Sequence, residues 1–273
     1  MKNKNSNSII FLGTGTSTGI PMIGCTCSVC TSLDHRDQRM RTSIFIETKK
    51  GKKILVDTTP DLRSQFLINK IAHIDFVIIT HDHADHIHGI DDLRPLTFGP
   101  PPREIPLYCN TKTKQNLEKR FDYIFKKRDP NKAPPGGGIP RLKLNVVELG
   151  KNILIDGEEF LFFNYPHGEG ETMGFVHDGL AYIIDCAEIP DNLIEVLAAK
   201  KIKLLIIDCL KRGHHSTHLN VERSFAYIKR IKPERTGLIH ISHDLSHLAI
   251  ARLAEKEFGK NVFPLYDQLK LFY

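Results

Sequence analysis

No apolar stretch of roughly 18 residues occurs in this 273-residue chain, so a membrane-spanning helix of ordinary length is not encoded. The opening Met-Lys-Asn-Lys-Asn-Ser-Asn-Ser is polar and leads straight into Ile9-Ile10-Phe11-Leu12, without the apolar core of a secretory leader. A cytoplasmic location with no membrane partner is therefore expected. No segment repeats, which argues against a solenoid. Tryptophan is absent, aromatics make up 8% of the residues, and 38 basic against 32 acidic side chains leave a formal charge of +6. That excess suits an anionic substrate but forms neither the basic stripe nor the stacking platforms of a single-strand nucleic-acid reader. Nucleic acid is accordingly the less favoured partner. Cysteines number only six, and the crowding of Cys25, Cys27 and Cys30 points to metal ligation rather than a disulfide framework.

A chain of this length can bury about three quarters of its unfolded surface, so one domain over 1–273 is expected. Within it, 1–7 reads as a flexible tail. The Pro- and Gly-rich stretch 128–140 cannot hold regular structure and reads as a mobile loop near a site entrance or a plain linker. Short apolar runs predict strands at 8–12, 42–48, 53–57, 75–79, 104–108, 141–148, 158–164, 173–177, 180–185, 202–208, 236–241 and 261–265. Helical spacing predicts helices near 60–70, 84–97, 111–127, 190–200, 219–231 and 245–258. The order suggests an α/β fold of two packed sheets with helices outside.

The densest chemistry is Thr80-His81-Asp82-His83-Ala84-Asp85-His86, which follows the apolar run Phe76-Val77-Ile78-Ile79. Imidazole and carboxylate suit zinc, manganese or iron. Ligands spaced by two residues on a segment leaving a strand can converge on one ion while the next pair turns to a second. Three further polar groups stand at the ends of apolar runs: His167 after Phe160–Pro166, Asp185 after Leu180–Ile184, and His240 after Thr236–Ile239. Strand ends along one edge of an α/β sandwich gather in a common crevice, where such scattered groups can meet.

His81, His83, Asp85 and His86 fit without a gap the His-x-His-x-Asp-His signature of the metallo-β-lactamase superfamily, which this chain resembles. The resemblance implies an αββα sandwich of two mixed sheets with helices on the outer faces, and a two-metal hydrolase. It also implies that His81, His83, His167 and Asp185 hold the first divalent metal, while Asp85, His86, His240 and the shared Asp185 hold the second. Manganese, zinc or iron would fill both sites. A bridging carboxylate suits ions about 3.5–4 Å apart.

Gly24-Cys25-Thr26-Cys27-Ser28-Val29-Cys30 offers three thiolates, and a structural zinc needs one more ligand. His243, close behind His240, is the candidate, and it would tie the N-terminal loop to the last ligand strand. This Cys-x-Cys-x-x-Cys run, with Leu12–Pro21, Arg41-Thr42-Ser43, Val56–Arg63, Gly89–Pro95 and His240–His243, is similar to the phosphonate-pathway phosphodiesterase branch of the superfamily. The branch implies attack on a small phosphodiester, cyclic ones included, by a hydroxide held between the two metals. A general acid is placed near Gly213–Leu219, with His218 and His215 both open as that residue. Two alternatives stand beside this reading: a transfer-RNA 3′-processing nuclease, and a non-catalytic metal-binding carrier or scaffold related to the pyrroloquinoline quinone pathway protein. A homodimer is left open.

Overall fold

The computed structural model describes residues 6–126 and 138–273. In chain order these residues form β1 (Ser8–Gly13), β2 (Ser43–Glu47), β3 (Lys53–Val56), α1 (Leu62–Ile68), β4 (Phe76–Ile78), α2 (Ala84–Ile87), β5 (Ile105–Cys109), α3 (Thr111–Arg120), α4 (Asp122–Phe125) and β6 (Leu142–Val146). The second half continues with β7 (Asn152–Ile155), β8 (Glu158–His167), β9 (Gly170–His177), β10 (Leu180–Ile183), α5 (Asp191–Ala199), β11 (Leu204–Asp208), α6 (Val221–Ile231), β12 (Arg235–Ile239), α7 (His247–Phe258), β13 (Val262–Pro264) and β14 (Lys270–Phe272).

Period-two alternation decides how these elements stack. Ile9 and Phe11, Ile54 and Val56, and Phe76 and Ile78 face inward against Phe160, Phe162, Phe175, Tyr182, Leu204 and Ile206 of the other sheet. The residues between them face outward. Leu55 and Val77 pack with Leu62 and Phe66 of α1 and Leu117 of α3. Leu205 and Ile207 pack with Leu197 of α5, Ile228 of α6 and Ile250 of α7. The result is the two-sheet sandwich with outer helices that the resemblance implies.

Each sheet has seven strands, ordered β14-β1-β2-β3-β4-β5-β6 and β13-β12-β11-β10-β9-β8-β7. Both are half antiparallel and half parallel: β3 to β6 run parallel in one, β10 to β13 in the other. The carboxyl ends of each parallel half therefore open on one edge, where polar groups can be presented without breaking the core.

Several boundaries differ from expectation for local reasons. The helix expected over 84–97 is α2 followed by a 3-10 turn, Ile90–Thr97. It breaks at Gly89, whose amide donates to Thr58 O and whose missing side chain leaves room for the Thr59 carbonyl. The helix over 111–127 breaks at Phe121, which adopts φ −118° and ψ 46°. Asn220 and Ser246 cap α6 and α7 through their side chains, so these begin two residues later than expected. Strands β7 and β14 were not expected. β7 leaves Leu154 exposed at a sheet edge, and β14 is only three residues long. His167 lies inside β8 rather than after it, because β8 and β9 close a hairpin with His167 opposite Gly170.

The tail expectation needs correction at its end: Asn7 is buried, donates to Asp178 and accepts from the Lys49 amide. Residues 1–5 and most of the 128–140 loop lie outside the described residues. Among the described residues, no helix is long and apolar enough to cross a membrane.

A Cβ at position 89 would stand 1.9 Å from Thr59 O, a backbone atom that cannot swing away. Gly89→Ala is expected to cost about 1–3 kcal/mol of unfolding free energy, as overpacking typically does. Urea titration showing an unchanged midpoint would contradict this account of the break.

Candidate metal centre

Two sheet edges bring the predicted residues together. His81 and His83 leave the end of β4, and His83 caps α2, so Asp85 and His86 lie in the first turn of that helix. His167 ends β8, Asp185 follows β10, and His240 follows β12. Asp57, Asp185 and His240 each turn off their strand with positive φ (64°, 48° and 60°), a region that residues other than glycine seldom occupy. The same left-handed step thus recurs where three strands deliver a polar side chain to the edge. Strain of this kind gathers at functional sites.

The ligand atoms of His81, His83, His167 and Asp185 lie within 4.8 Å of one another, as do those of His86, Asp185 and His240. Asp185 belongs to both groups and splits its oxygens between them. Its Oδ2 lies 3.7 Å from both His81 Nε2 and His167 Nε2, while its Oδ1 lies 3.5 Å from His86 Nε2 and 3.2 Å from His240 Nδ1. Asp85 joins the second group through His86, with Oδ2 3.2 Å from its Nε2.

Burial makes this assembly costly in the absence of a cation. His81 Nε2, His86 Nε2 and Asp185 Oδ1 are buried with no hydrogen-bond partner among the described residues. Burial, then the neighbouring imidazole charge of His86, pushes His81 well below its ordinary range. Burial also lowers His83 and His240, which favours the neutral, ligand-ready form. Burial opposes charge on His86 too, but Asp85, Asp185 and Asp57 outweigh it and hold that imidazole well above its usual range. Against the same desolvation, His240, His86 and His81 hold the Asp185 carboxyl well below the usual carboxylate range. Unpaired imidazole nitrogens converging on a shared carboxylate are the donor set of a two-cation site. The donors of these residues fit that role.

Partners behind the ligands escaped the sequence reading. Asp57 accepts from Thr80 N, Thr80 Oγ1 and His86 Nδ1, all at 2.8 Å, and so fixes the His86 ring. His167 Nδ1 meets Thr217 O at 2.8 Å, and the hydroxyls of Thr42 and Thr16 reach the two nitrogens of His240 at 3.2 Å. The rule that found Asp185, a carboxylate ending an apolar strand, also points to Asp57 and Asp208.

His218 and His215 separate here. His218 lies at the cavity wall, stacked on His240 at 4.8 Å and 13°, with Nδ1 3.0 Å from Asp208 Oδ2. Burial disfavours its charge, but Asp208 outweighs that and raises it to about 9. His215 lies behind it, contacts Thr217, and is lowered by burial and by His218. Among the histidines without a motif, His177 is held by Glu158 and Tyr273, and His247 lies beside Arg39, away from the cluster. The cavity over the cluster has a volume of about 610 Å³ and is lined across from the histidines by Lys112, Asn116 and Arg120 of α3. Asn116 and Arg120 both bond Asp82, which fastens α3 to the His81–His83 segment.

A second cluster lies apart. The sulfurs of Cys25, Cys27 and Cys30 stand 3.3, 3.4 and 3.6 Å from His243 Nδ1. The Cys30 amide, then His243, draw the Cys27 thiol down to about 6, whereas burial pushes the Cys30 thiol up to about 11. Three sulfurs around one imidazole nitrogen are the donor types that a closed tetrahedral zinc site uses, and they could hold a metal ion.

Residues 52–241 match the family described as "Beta-lactamase superfamily domain". The chain is 36% identical over 235 residues to an octanoyltransferase of Porphyromonas gingivalis, covering 86% of this chain but 46% of that protein, so it spans about half that relative's length. It is 27% identical over 267 residues to the exodeoxyribonuclease WalJ of Streptococcus pneumoniae, covering 82% of this chain and 89% of that one. The crystal structure of "a New Diphosphatase from the PhnP Family" superposes with a TM-score of 0.85 at 35% identity, covering 98% of each chain.

The two clusters predict distinct responses to mutation. Cys27→Ser should lower the melting temperature, because structural zinc contributes folding free energy. Asp185→Asn should weaken retention of exchangeable ions while leaving the tightly held zinc in place. Calorimetry with elemental analysis distinguishes the two, and the reverse pattern would mean that the roles are exchanged.

Proposed function

Because the chain belongs to the β-lactamase superfamily and has a hydrolase's fold, we propose that it is a two-metal phosphodiesterase acting on a small phosphodiester, cyclic ones included. The observation that carries this reading is Asp185, whose two oxygens each face a different histidine set. His81, His83, His167 and Asp185 would hold one ion; Asp85, His86, His240 and Asp185 would hold the other. Bound there, manganese, zinc or iron would supply Lewis acidity at the phosphoryl oxygens and lower the pKa of a water to about 7.

The chain's own residues supply the rest. His218 has its Nδ1 engaged by Asp208, which leaves Nε2 to carry a proton to the departing alkoxide. Asp208 positions that ring, its Oδ2 also accepting from the Cys186 amide at 2.9 Å. On the facing wall Lys112 offers a cation to an anionic substrate, while Arg120 is already paired with Asp82. His215 is the weaker candidate for the acid, since it contacts Thr217 rather than a carboxylate.

A nuclease is the second reading, favoured by the likeness to an exodeoxyribonuclease. A carrier or scaffold would not require this paired ligand set or a carboxylate-backed histidine beside it. A screen of cyclic, acyclic and diphosphate-linked esters together with oligodeoxynucleotides and precursor transfer RNA, before and after metal depletion, tests the proposal. Faster cleavage of nucleic acid than of every small ester would reject the small-substrate reading.

His218→Ala should slow hydrolysis of a diester with a poor alkoxide leaving group by about 10²–10⁴-fold. A p-nitrophenyl diester, whose leaving group needs little protonation, should lose far less. Equal losses on both substrates would count against His218 as the acid.

A further inference from the structure

The two clusters share one short piece of backbone. His240 belongs to the histidine-aspartate cluster and His243 to the cysteine cluster, with only Ile241 and Ser242 between them. Ile241 is fully buried and laced to the loop after β1: its amide donates to Thr14 O at 3.1 Å, and its carbonyl accepts from Thr16 N at 3.2 Å. Gly15, between them, bridges both Ile241 and Arg41. Thr16 then turns its hydroxyl to His240 Nε2, while Thr42 bonds both Gly15 O and His240 Nδ1. Farther along the same loop, Ile20 pairs with Arg39 through both backbone bonds, and the cysteines follow.

That cysteine loop has little apolar packing of its own. Its buried hydrophobic residues are Ile20, Val29 and Cys30, a small cluster separate from the three large cores. A loop with so small a core depends on an ion to keep its shape. Losing that ion would free His243 and loosen the ladder that pins His240.

We propose that the cysteine site positions the histidine-aspartate cluster: its occupancy, transmitted through the ladder of Thr14, Gly15 and Thr16 on Ile241, sets how tightly His86, Asp185 and His240 hold their ion. This rests on the two-metal reading above. Thr16 and Thr42 are positioning residues in it, acting on the His240 ring. The coupling runs both ways, since linkage between two binding sites is reciprocal.

The test is metal affinity in the full-length protein carrying zinc at the cysteine site and stripped of exchangeable ions. Manganese(II) is titrated in, and free ion is read by electron paramagnetic resonance. Wild type should show two binding events, and His86→Ala identifies the one on the His86 side. In Cys25→Ser that event should weaken by about 10-fold, within the roughly 5–150-fold span of known couplings, and the other by less than about twofold. Gly15→Ala retains all four cysteine-site ligands, but its Cβ would stand 2.8 Å from Arg39 Cβ and press on the ladder. It should show the same selective weakening even where Cys25→Ser fails to fold. Reciprocally, with manganese present at saturation, zinc affinity at the cysteine site should be lower in His86→Ala than in wild type by a similar factor. Unchanged manganese affinity in a folded Cys25→Ser or Gly15→Ala protein, or unchanged zinc affinity in His86→Ala, overturns the coupling and leaves the two-metal reading standing. A wild type that binds no manganese overturns both.

Discussion

Desolvated charge at the open edge of the sandwich is the constraint on which the rest of the site depends. Five imidazoles and the Asp185 carboxylate converge there, all but His83 nearly inaccessible to water. Such a gathering is tolerable only if its charges answer one another or answer a cation. The surroundings answer the outward sides of the rings. Asp57 satisfies the far side of His86, Thr217 the far side of His167, and Thr80 lies 3.0 Å from His81 Nδ1, so the lone pairs that remain point inward. The left-handed turns at Asp57, Asp185 and His240 are local departures from relaxed backbone that the packed strands beneath hold in place.

Much of this was legible in the chain, for identifiable reasons. Strands buried on both faces leave unbroken apolar runs, so Phe76–Ile79 and Leu204–Ile207 announced themselves, and a charged residue closing such a run announced the edge. The αββα layering followed from strand order and resemblance together. What stayed hidden depends on contacts far apart in sequence. Asp57 and His86 are separated by 29 positions, and Thr42 and His240 by 198; no local pattern reports such pairs. Strand β14 is three residues completing a sheet begun at β1, and its register exists only once the chain has closed on itself. The break at Gly89 likewise depends on a carbonyl from Thr59, across the loop.

The choice between His218 and His215 shows the same division. Both sit in one histidine-rich loop after β11, and sequence spacing treats them alike. Asp208 sets them apart through a single contact: it lies within hydrogen-bonding distance of His218, and the turn of the loop leaves His215 with Thr217. A carboxylate behind an imidazole both orients the ring and stabilises its proton.

The halving of each sheet into an antiparallel and a parallel part has a consequence for how such a molecule can diversify. Every connection that leaves a parallel strand at its carboxyl end emerges over the same rim, and the apolar layers below do not sense its length. Exposed stretches of these connections, such as residues 212–214 after β11, can therefore be lengthened or recharged without reopening the packing of the sandwich, whereas Cys209 and Leu219 in the same loop belong to its core. The histidine-aspartate floor and the rim above it are in this sense separately heritable. One inherited scaffold can then vary what its rim admits while the side chains gathered beneath stay in place.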